Sequence, residues 1–409
     1  MRLPLPLFLA ALLVLLAPRV AAAQGLSIPA VGVPGALDVA TWNIEHFGST
    51  TAGPTNVALQ AANVRAVIEQ AEIDLWALQE LNNPAAFDEL LAQLGSGWGG
   101  VWVPDNTQFS IGYGYLYRTD RIEVLQATKI LEGFAYEFAF RPPLLLRANV
   151  TLPGGAVQNL RVINVHGKCC GDFTSWQRRR DASIALKNYV DNLLAINAPV
   201  LVLGDLNDEL RVSISGGRPS PYANFREDTQ RYHFGTLSLE DANVNTFCFN
   251  ASCTSGSTID HVLVTEPLFG AYVEGSTRRF DALLSNIPNY VNTTSDHLAV
   301  HARFDFFPGT STGEGAVPLA FALEAPFPNP FRTETTVTYT LPRAATVRLE
   351  AFDALGRRVA LLAEGARSAG THEATFDASA LPQGLYLVRL TASGPGGEQT
   401  ATRRALRVP

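Results

Sequence analysis

Five short polar clusters interrupt this chain, and each arrives where an apolar run ends: Asn43 within Thr41 to Phe47, Glu80, His166, Asp205 with Asn207, and Asp296 with His297. Hard oxygen donors in the first, second, fourth and fifth clusters suit a hydrated divalent cation, and the two histidines can supply acid and base. The ordered set points to metal-assisted phosphoester hydrolysis. Taken singly, no cluster would. Asn43 alone reads as a strand-end residue bonded to its own turn, Glu80 as a solvated acid, and the histidines as satisfied core groups.

The chain opens with a basic start at Met1 to Pro4, an apolar stretch to Val20, and the small residues Ala21 to Ala23 before Gln24. This is the pattern of a secretory signal, so residues 1–23 are expected to be a signal peptide cleaved after Ala23. The stretch is broken at Pro18 and Arg19 and is short for a bilayer, so no stable membrane span is expected. With a formal net charge of −7, the protein as a whole does not attract polyanions. Nucleic acid would need a local basic patch or a metal to hold it. Four cysteines in an exported chain favour disulfides. Cys248 and Cys253 could close a small loop. Cys169 and Cys170 are adjacent, which strains a bond between them, and a bridge to the other pair or a free thiol stays open.

At 409 residues, 47% of them hydrophobic, the chain is long enough for more than one domain. Leu37 to Trp42 reads as a strand, 56–70 as a helix by its apolar spacing, and Ile73 to Leu78 as a buried strand ending on Glu80. Strands continue at 114–117, 144–152, 160–165, 200–203, 259–264 and 298–304, with a long helix over 176–194. This mixture predicts one α/β layered domain over 37–307. A Gly, Ser and Thr rich stretch then marks a linker, placed at 308–325. Beyond it, alternating runs at 336–341, 346–352 and 384–390 predict a small β-sandwich over 326–409.

Together, Asn43, Glu80, His166, Gly204 to Asn207, Ile259 to His261 and Ser295 to His297 resemble the endonuclease/exonuclease/phosphatase superfamily, typified by pancreatic deoxyribonuclease. The resemblance spans nearly all of 37–307. It implies a four-layer α/β sandwich, with two central sheets face to face, helices outside and the site at the strand ends. It further implies that Asn43 and Glu80 hold a divalent cation with Asp296, and that Asp205 and Asn207 contribute. Magnesium is the expected ion, with manganese or calcium as alternatives, because every ligand offers oxygen. His297 would act as general base or acid on the attacking water, oriented by Asp260, while His166 protonates or stabilises the leaving oxygen. Asp205 and Asn207, two apart on an extended chain, would point the same way and position water and a phosphate oxygen. Arg141, in Phe140 to Pro143, matches a family arginine that contacts phosphate.

Departures from the pancreatic pattern bear on substrate. Where those enzymes place two arginines on duplex DNA, this chain has Glu45 and Asn82. The acid that orients the second histidine has no match in 109–113, which leaves Asp172 as a candidate. The segment from Val165 to Asp172, followed by Arg178 to Arg180, looks more like secreted bacterial members of the superfamily. Lys168 and the arginine run would supply the local basic patch. Trp98 to Trp102 is a candidate for the exposed aromatic hairpin of a lipid enzyme, with buried aromatics as the favoured reading.

The tail resembles a second family. Phe327 to Phe331, Ala354 to Arg357 and Leu381 to Tyr386 are similar to the C-terminal sorting domain of the type IX secretion system. That implies recognition by an outer-membrane translocon, export through the periplasm, and a secreted or cell-surface location. The expectation is therefore a secreted, monomeric, divalent-metal-dependent phosphodiesterase, foremost a nuclease. The alternatives are a sphingomyelinase-like phospholipid or small-phosphoester hydrolase on the same site, or a non-catalytic surface-binding module.

Overall fold

The computed structural model describes residues 25–104, 112–306, 321–341, 345–367, 370–394 and 397–408. The expected signal peptide and most of the expected linker lie outside the described residues.

The first half runs β1 (Leu37–Phe47), α1 (Val57–Gln70), β2 (Leu75–Leu81), α2 (Pro84–Leu94), β3 (Trp98–Val103), β4 (Gly112–Arg118), β5 (Ile122–Lys129), β6 (Leu144–Thr151), β7 (Val157–His166) and α3 (Phe173–Leu194). It continues through β8 (Val200–Asp205), β9 (Tyr232–Phe234), β10 (Phe247–Cys248), β11 (Gly256–Ser257), β12 (Asp260–Thr265), β13 (Arg278–Arg279) and β14 (Val300–Phe304). One sheet has the order β13-β14-β1-β2-β4-β3, and the second contains β5-β6-β7-β8-β12-β9. The helices at 57–70 and 173–194 answer to the sequence pattern. The one at 84–94, with Asn83 accepting from Ala85 and Ala86 at its start and Pro84 in its first turn, was not expected.

Side-chain alternation builds the layers. Val39, Leu75 and Tyr115 of the first sheet meet Leu146, Val162, Leu203 and Val262 of the second in a shared central core. The opposite faces, through Trp42 and Trp76, pack on Val64 and Ile68 of α1, while Ile163 and Val202 pack on Leu186 and Val190 of α3. The result is a four-layer α/β sandwich. Trp98 and Trp102 lie in edge strand β3 and pack partly buried against the α1–α2 side, so this segment forms no protruding aromatic hairpin.

The tail is all β: β15 (Ala322–Leu323), β16 (Glu334–Leu341), β17 (Ala345–Phe352), β18 (Arg358–Arg367), β19 (Gly370–Asp377), β20 (Gly384–Gly394) and β21 (Gly397–Arg407). Its four-stranded sheet β18-β17-β20-β21 faces β15, β16 and β19 over a core that includes Val337, Leu349, Phe376 and Val388. Strand β15 begins inside the stretch expected as linker. Strand β19 also meets the edge of β7 through Gly370 and Val157.

Candidate active site

Three neighbouring strands of the second sheet end together. The register pairs His166 of β7 with Asp205 of β8, and Asp205 with Asp260 of β12, so three polar side chains form one row. Gly204 makes this row possible. Its φ is +153°, and a Cβ there would sit 1.9 Å from the Val165 carbonyl oxygen, so only glycine fits before Asp205.

From the first sheet, Asn43 ends the regular pairing of β1 with β2, and a register shift follows between Asn43 and Phe47. Glu45 and His46 there have φ of 38° and 49°. Glu80 has φ 61° beside a second register shift, between Gln79 and Leu81. Such bulges re-aim side chains. Here they turn Glu80 and His46 toward the row from the opposite sheet.

His297 Nδ1 lies 2.8 Å from Asp260 Oδ2, and its Nε2 lies 3.9 Å from both Asp205 Oδ2 and Asp296 Oδ1. Its backbone N–H donates to Ser295 Oγ at 3.0 Å, and that hydroxyl donates to the Asn43 carbonyl at 2.7 Å. The His166 Nε2 is 3.6 Å from Asp205 Oδ2 and 3.8 Å from Glu80 Oε1. Among the described residues its Nδ1 has no hydrogen-bond partner. Asp172 is spent elsewhere, capping α3 by accepting from the Ser175 N–H and hydroxyl, so it does not orient His166.

Asn43 Nδ2 donates to Glu80 Oε1 and to Asp205 Oδ2, both at 3.1 Å, while its Oδ1 accepts from the Glu45 N–H. Asn207 reaches Asp205 by a tight turn and not by extended alternation. Its φ is 55°, its N–H donates to Asp205 Oδ1 at 2.8 Å, and its Nδ2 donates to Asp205 Oδ2 at 3.0 Å. Arg141 is nearly buried, and its Nη2 donates to the Gly167 carbonyl at 2.8 Å. A cavity of about 560 Å³ is lined by Glu80, Arg141, His166, Asp205, Asn207, Asp296 and His297. Sequence reasoning assigned no role to His46, Phe247 or Phe249, which also line it. Only for His46 was there a signal, its place inside the first cluster.

The expected basic patch is not formed as a unit. Arg179 is fully buried and paired with Asp208 at 2.8 Å, because the helix period carries it to the inner face with Ser175, Ala182 and Leu186. Arg178 stacks on Tyr136 and Arg180 pairs with Asp181. At the two positions where pancreatic enzymes carry arginine, Glu45 accepts from the Asp296 N–H at 3.0 Å and Asn82 holds His46 Nδ1 at 3.2 Å.

Charge is unbalanced around the cavity. Burial, opposed by His297 and reinforced by Asp260, pushes Asp205 up to about 7. Burial and then the Asp296 charge push Glu45 up to about 7, and burial also raises Asp296. Burial alone would lower His297, but the Asp260 carboxylate raises it well above its usual value. Burial and the nearby Arg141 hold His166 well below its own. Crowded carboxylates that resist ionisation fit a divalent cation, whose charge would relieve them. Asp205, Asp260 and His297 also cluster within 4.8 Å. The imidazole there is already committed to Asp260, and both oxygens of Glu80 accept, from Asn43 Nδ2 and from the His46 N–H.

This chain belongs to the Endonuclease/Exonuclease/phosphatase family, a family of phosphoester hydrolases whose model matches residues 40–297. A second model, the Secretion system C-terminal sorting domain, matches residues 325–401 and identifies the tail as a type IX sorting domain. The protein is therefore exported, to the cell surface or beyond it. No helix among the described residues is long and apolar enough to cross a membrane. No curated protein matches the chain. Among solved structures, an endonuclease/exonuclease/phosphatase from Beutenbergia cavernae is 18% identical, covering 90% of this chain and 99% of its own, with TM-score 0.47. The human nocturnin catalytic domain is 15% identical over 66% of this chain and 95% of its own, with TM-score 0.44. TDP2 from C. elegans is 16% identical over 66% and 75%, with TM-score 0.45.

Proposed function

We propose that this protein is an extracellular, divalent-metal-dependent phosphodiesterase whose substrate is nucleic acid. The observation that carries the reading is the buried His297 to Asp260 hydrogen bond of 2.8 Å, opening on a cavity shared with His166 and three carboxylates. Asp260 holds the imidazole so that Nε2 faces the cavity, and the same charge makes that nitrogen a strong proton acceptor for the attacking water. His166, kept neutral, donates its Nε2 proton in a hydrogen bond to the leaving oxygen. Arg141 offers a guanidinium to the phosphate, and Asn207 holds Asp205 in position. Glu80 and Asp296, with Asp205 beside them, would hold the cation, while Asn43, expected as a ligand, turns its Nδ2 to Glu80 and Asp205 and positions their carboxylates. When bound, the cation would supply Lewis-acid stabilisation of the phosphate charge, and the oxygen donors suit magnesium, manganese or calcium.

Nucleic acid is favoured by the rim. Phe249, 67% exposed, lines the cavity mouth. Such a face stacks bases without reading sequence. Glu45 and Asn82, engaged with Asp296 and His46, speak for unpaired strands over a gripped duplex.

The test uses the purified exported chain with magnesium, manganese or EDTA. Substrates are single-stranded DNA, duplex DNA, RNA, sphingomyelin and bis(4-nitrophenyl) phosphate. The expected result is metal-dependent cleavage of nucleic acid, abolished by EDTA and by His297→Ala. Hydrolysis that survives both would overturn the mechanism, and cleavage of sphingomyelin alone would move the substrate to lipid.

A further inference from the structure

Cys169 and Cys170 stand on the loop that leaves catalytic strand β7, three and four residues after His166, and both line the cavity mouth. Both are exposed, and their sulfurs lie 2.8 Å apart. That is within about 0.8 Å of a disulfide bond length. Cys170 has φ 81°, a backbone conformation that non-glycine residues rarely adopt. The loop around the pair is clamped. Arg179 Nη1 donates to the carbonyls of Lys168 at 2.7 Å and Cys170 at 2.8 Å, and Arg179 is itself fixed by Asp208. One residue upstream, the Gly167 carbonyl accepts from both Arg141 and Asn207. Elsewhere in the chain, Cys248 and Cys253 are already joined by a disulfide.

We propose that Cys169 and Cys170 are a reversible oxidation site, closing to a vicinal disulfide that alters substrate binding at the cavity mouth. The oxidant is a disulfide of the exporting or extracellular compartment, a small-molecule or protein dithiol couple. One thiolate attacks the oxidant's disulfide and releases one oxidant thiol. The second cysteine then displaces the other oxidant sulfur from the mixed disulfide. The S–H bonds of Cys169 and Cys170 break and their S–S bond forms; the oxidant's S–S bond breaks and it gains two protons and two electrons. Adjacent residues hold their Cα atoms closer than most disulfides prefer, so the bond is strained and readily reduced, which suits a reversible device and not a structural staple. Closing the ring must redirect the peptide between the two carbonyls that Arg179 holds. That change reaches the Gly167 carbonyl, and through it the Arg141 guanidinium that meets the phosphate and the Asn207 amide that holds Asp205.

The first arm of the test is independent of activity. The full exported chain is equilibrated in glutathione buffers of increasing oxidising strength, trapped by alkylation and digested with trypsin. Cleavage after Lys168 and Arg178 puts both cysteines in one peptide, apart from Cys248 and Cys253. Oxidised samples are expected to contain this peptide unalkylated and two hydrogens lighter, and reduced samples doubly alkylated. Double alkylation in every buffer would overturn the proposal. The second arm rests on the phosphodiesterase reading and measures KM for bis(4-nitrophenyl) phosphate across the same buffers. A severalfold change in KM is expected in the parent chain and none in Cys169→Ser/Cys170→Ser. An equal response in that variant would assign the effect to Cys248 and Cys253 and overturn the link to the site. An inactive protein that still shows the lighter peptide would overturn only the hydrolase reading.

Discussion

His297 Nδ1 and Asp260 Oδ2 face each other at 2.8 Å with both side chains buried, so the charge of Asp260 acts on the imidazole with little solvent between them. Asp260→Asn preserves the shape and removes the charge. In the proposed mechanism His297 must be neutral to accept a proton, so activity should fall as pH drops through its pKa, which Asp260 raises well above the usual value. The expected outcome is a loss of ~10²–10⁴-fold in kcat with KM little changed, the range of a general base deprived of its support. The rising limb of the pH–rate profile should also move to lower pH. A limb that stays in place would assign it to another group, such as Asp205. These residues were legible because each closes an apolar run. The backbone that aims them was not, since nothing in Gln79-Glu80-Leu81 announces a left-handed residue inside a strand, and Glu80 turns toward His166 only because φ there is 61°.

At the scale of an element, α3 does more than cover the second sheet. Its apolar period was readable from 176 onward, but its start is set by Asp172 accepting from the Ser175 N–H, a local bond that periodicity does not report. The run Arg178 to Arg180 shows the limit of reading charge without phase. Three successive side chains spread over about 200° of a helix cannot share one face, and here the middle one goes inward. There Arg179 serves Asp208, Ser215 Oγ and the carbonyls of Lys168 and Cys170 at once. Arg179→Leu leaves Asp208 buried without a counter-charge, held only by neutral donors such as the Ser213 hydroxyl and the Ile214 N–H, and is expected to destabilise the chain by about 3–5 kcal/mol. Arg179→Lys should rescue little, because one ammonium cannot span the acceptors of a planar fork. Thermal unfolding of both variants checks this, and a lysine variant as stable as the parent would show that charge alone suffices.

Across the whole molecule, the change in composition after Phe307 located the tail, but nothing in either half announced that the two touch. They meet through ionic groups, which sequence patterns place on surfaces. Arg161 of β7 donates to Glu324 at 3.1 Å with both side chains at or below 9% exposure, and Arg147 pairs with Glu373 of β19. Burial lowers Arg161 and raises Glu324 from their ordinary values, so each charge depends on the other. A buried pair of this kind does little for net stability compared with apolar partners, yet losing one member strands the other. Glu324→Ala should therefore weaken docking by about 3–5 kcal/mol, more than most surface changes. The expected reading is a single calorimetric transition in the parent chain that separates into two in Glu324→Ala, one for each half. Arg161→Met combined with Glu324→Leu should restore a single transition, since apolar side chains of similar volume fill the interface without an unpaired charge. If the single variant keeps one transition at the parent temperature, the tail is held by the β19 to β7 contact and Glu373 alone, and the sorting domain would stay seated on the catalytic sheet without Glu324.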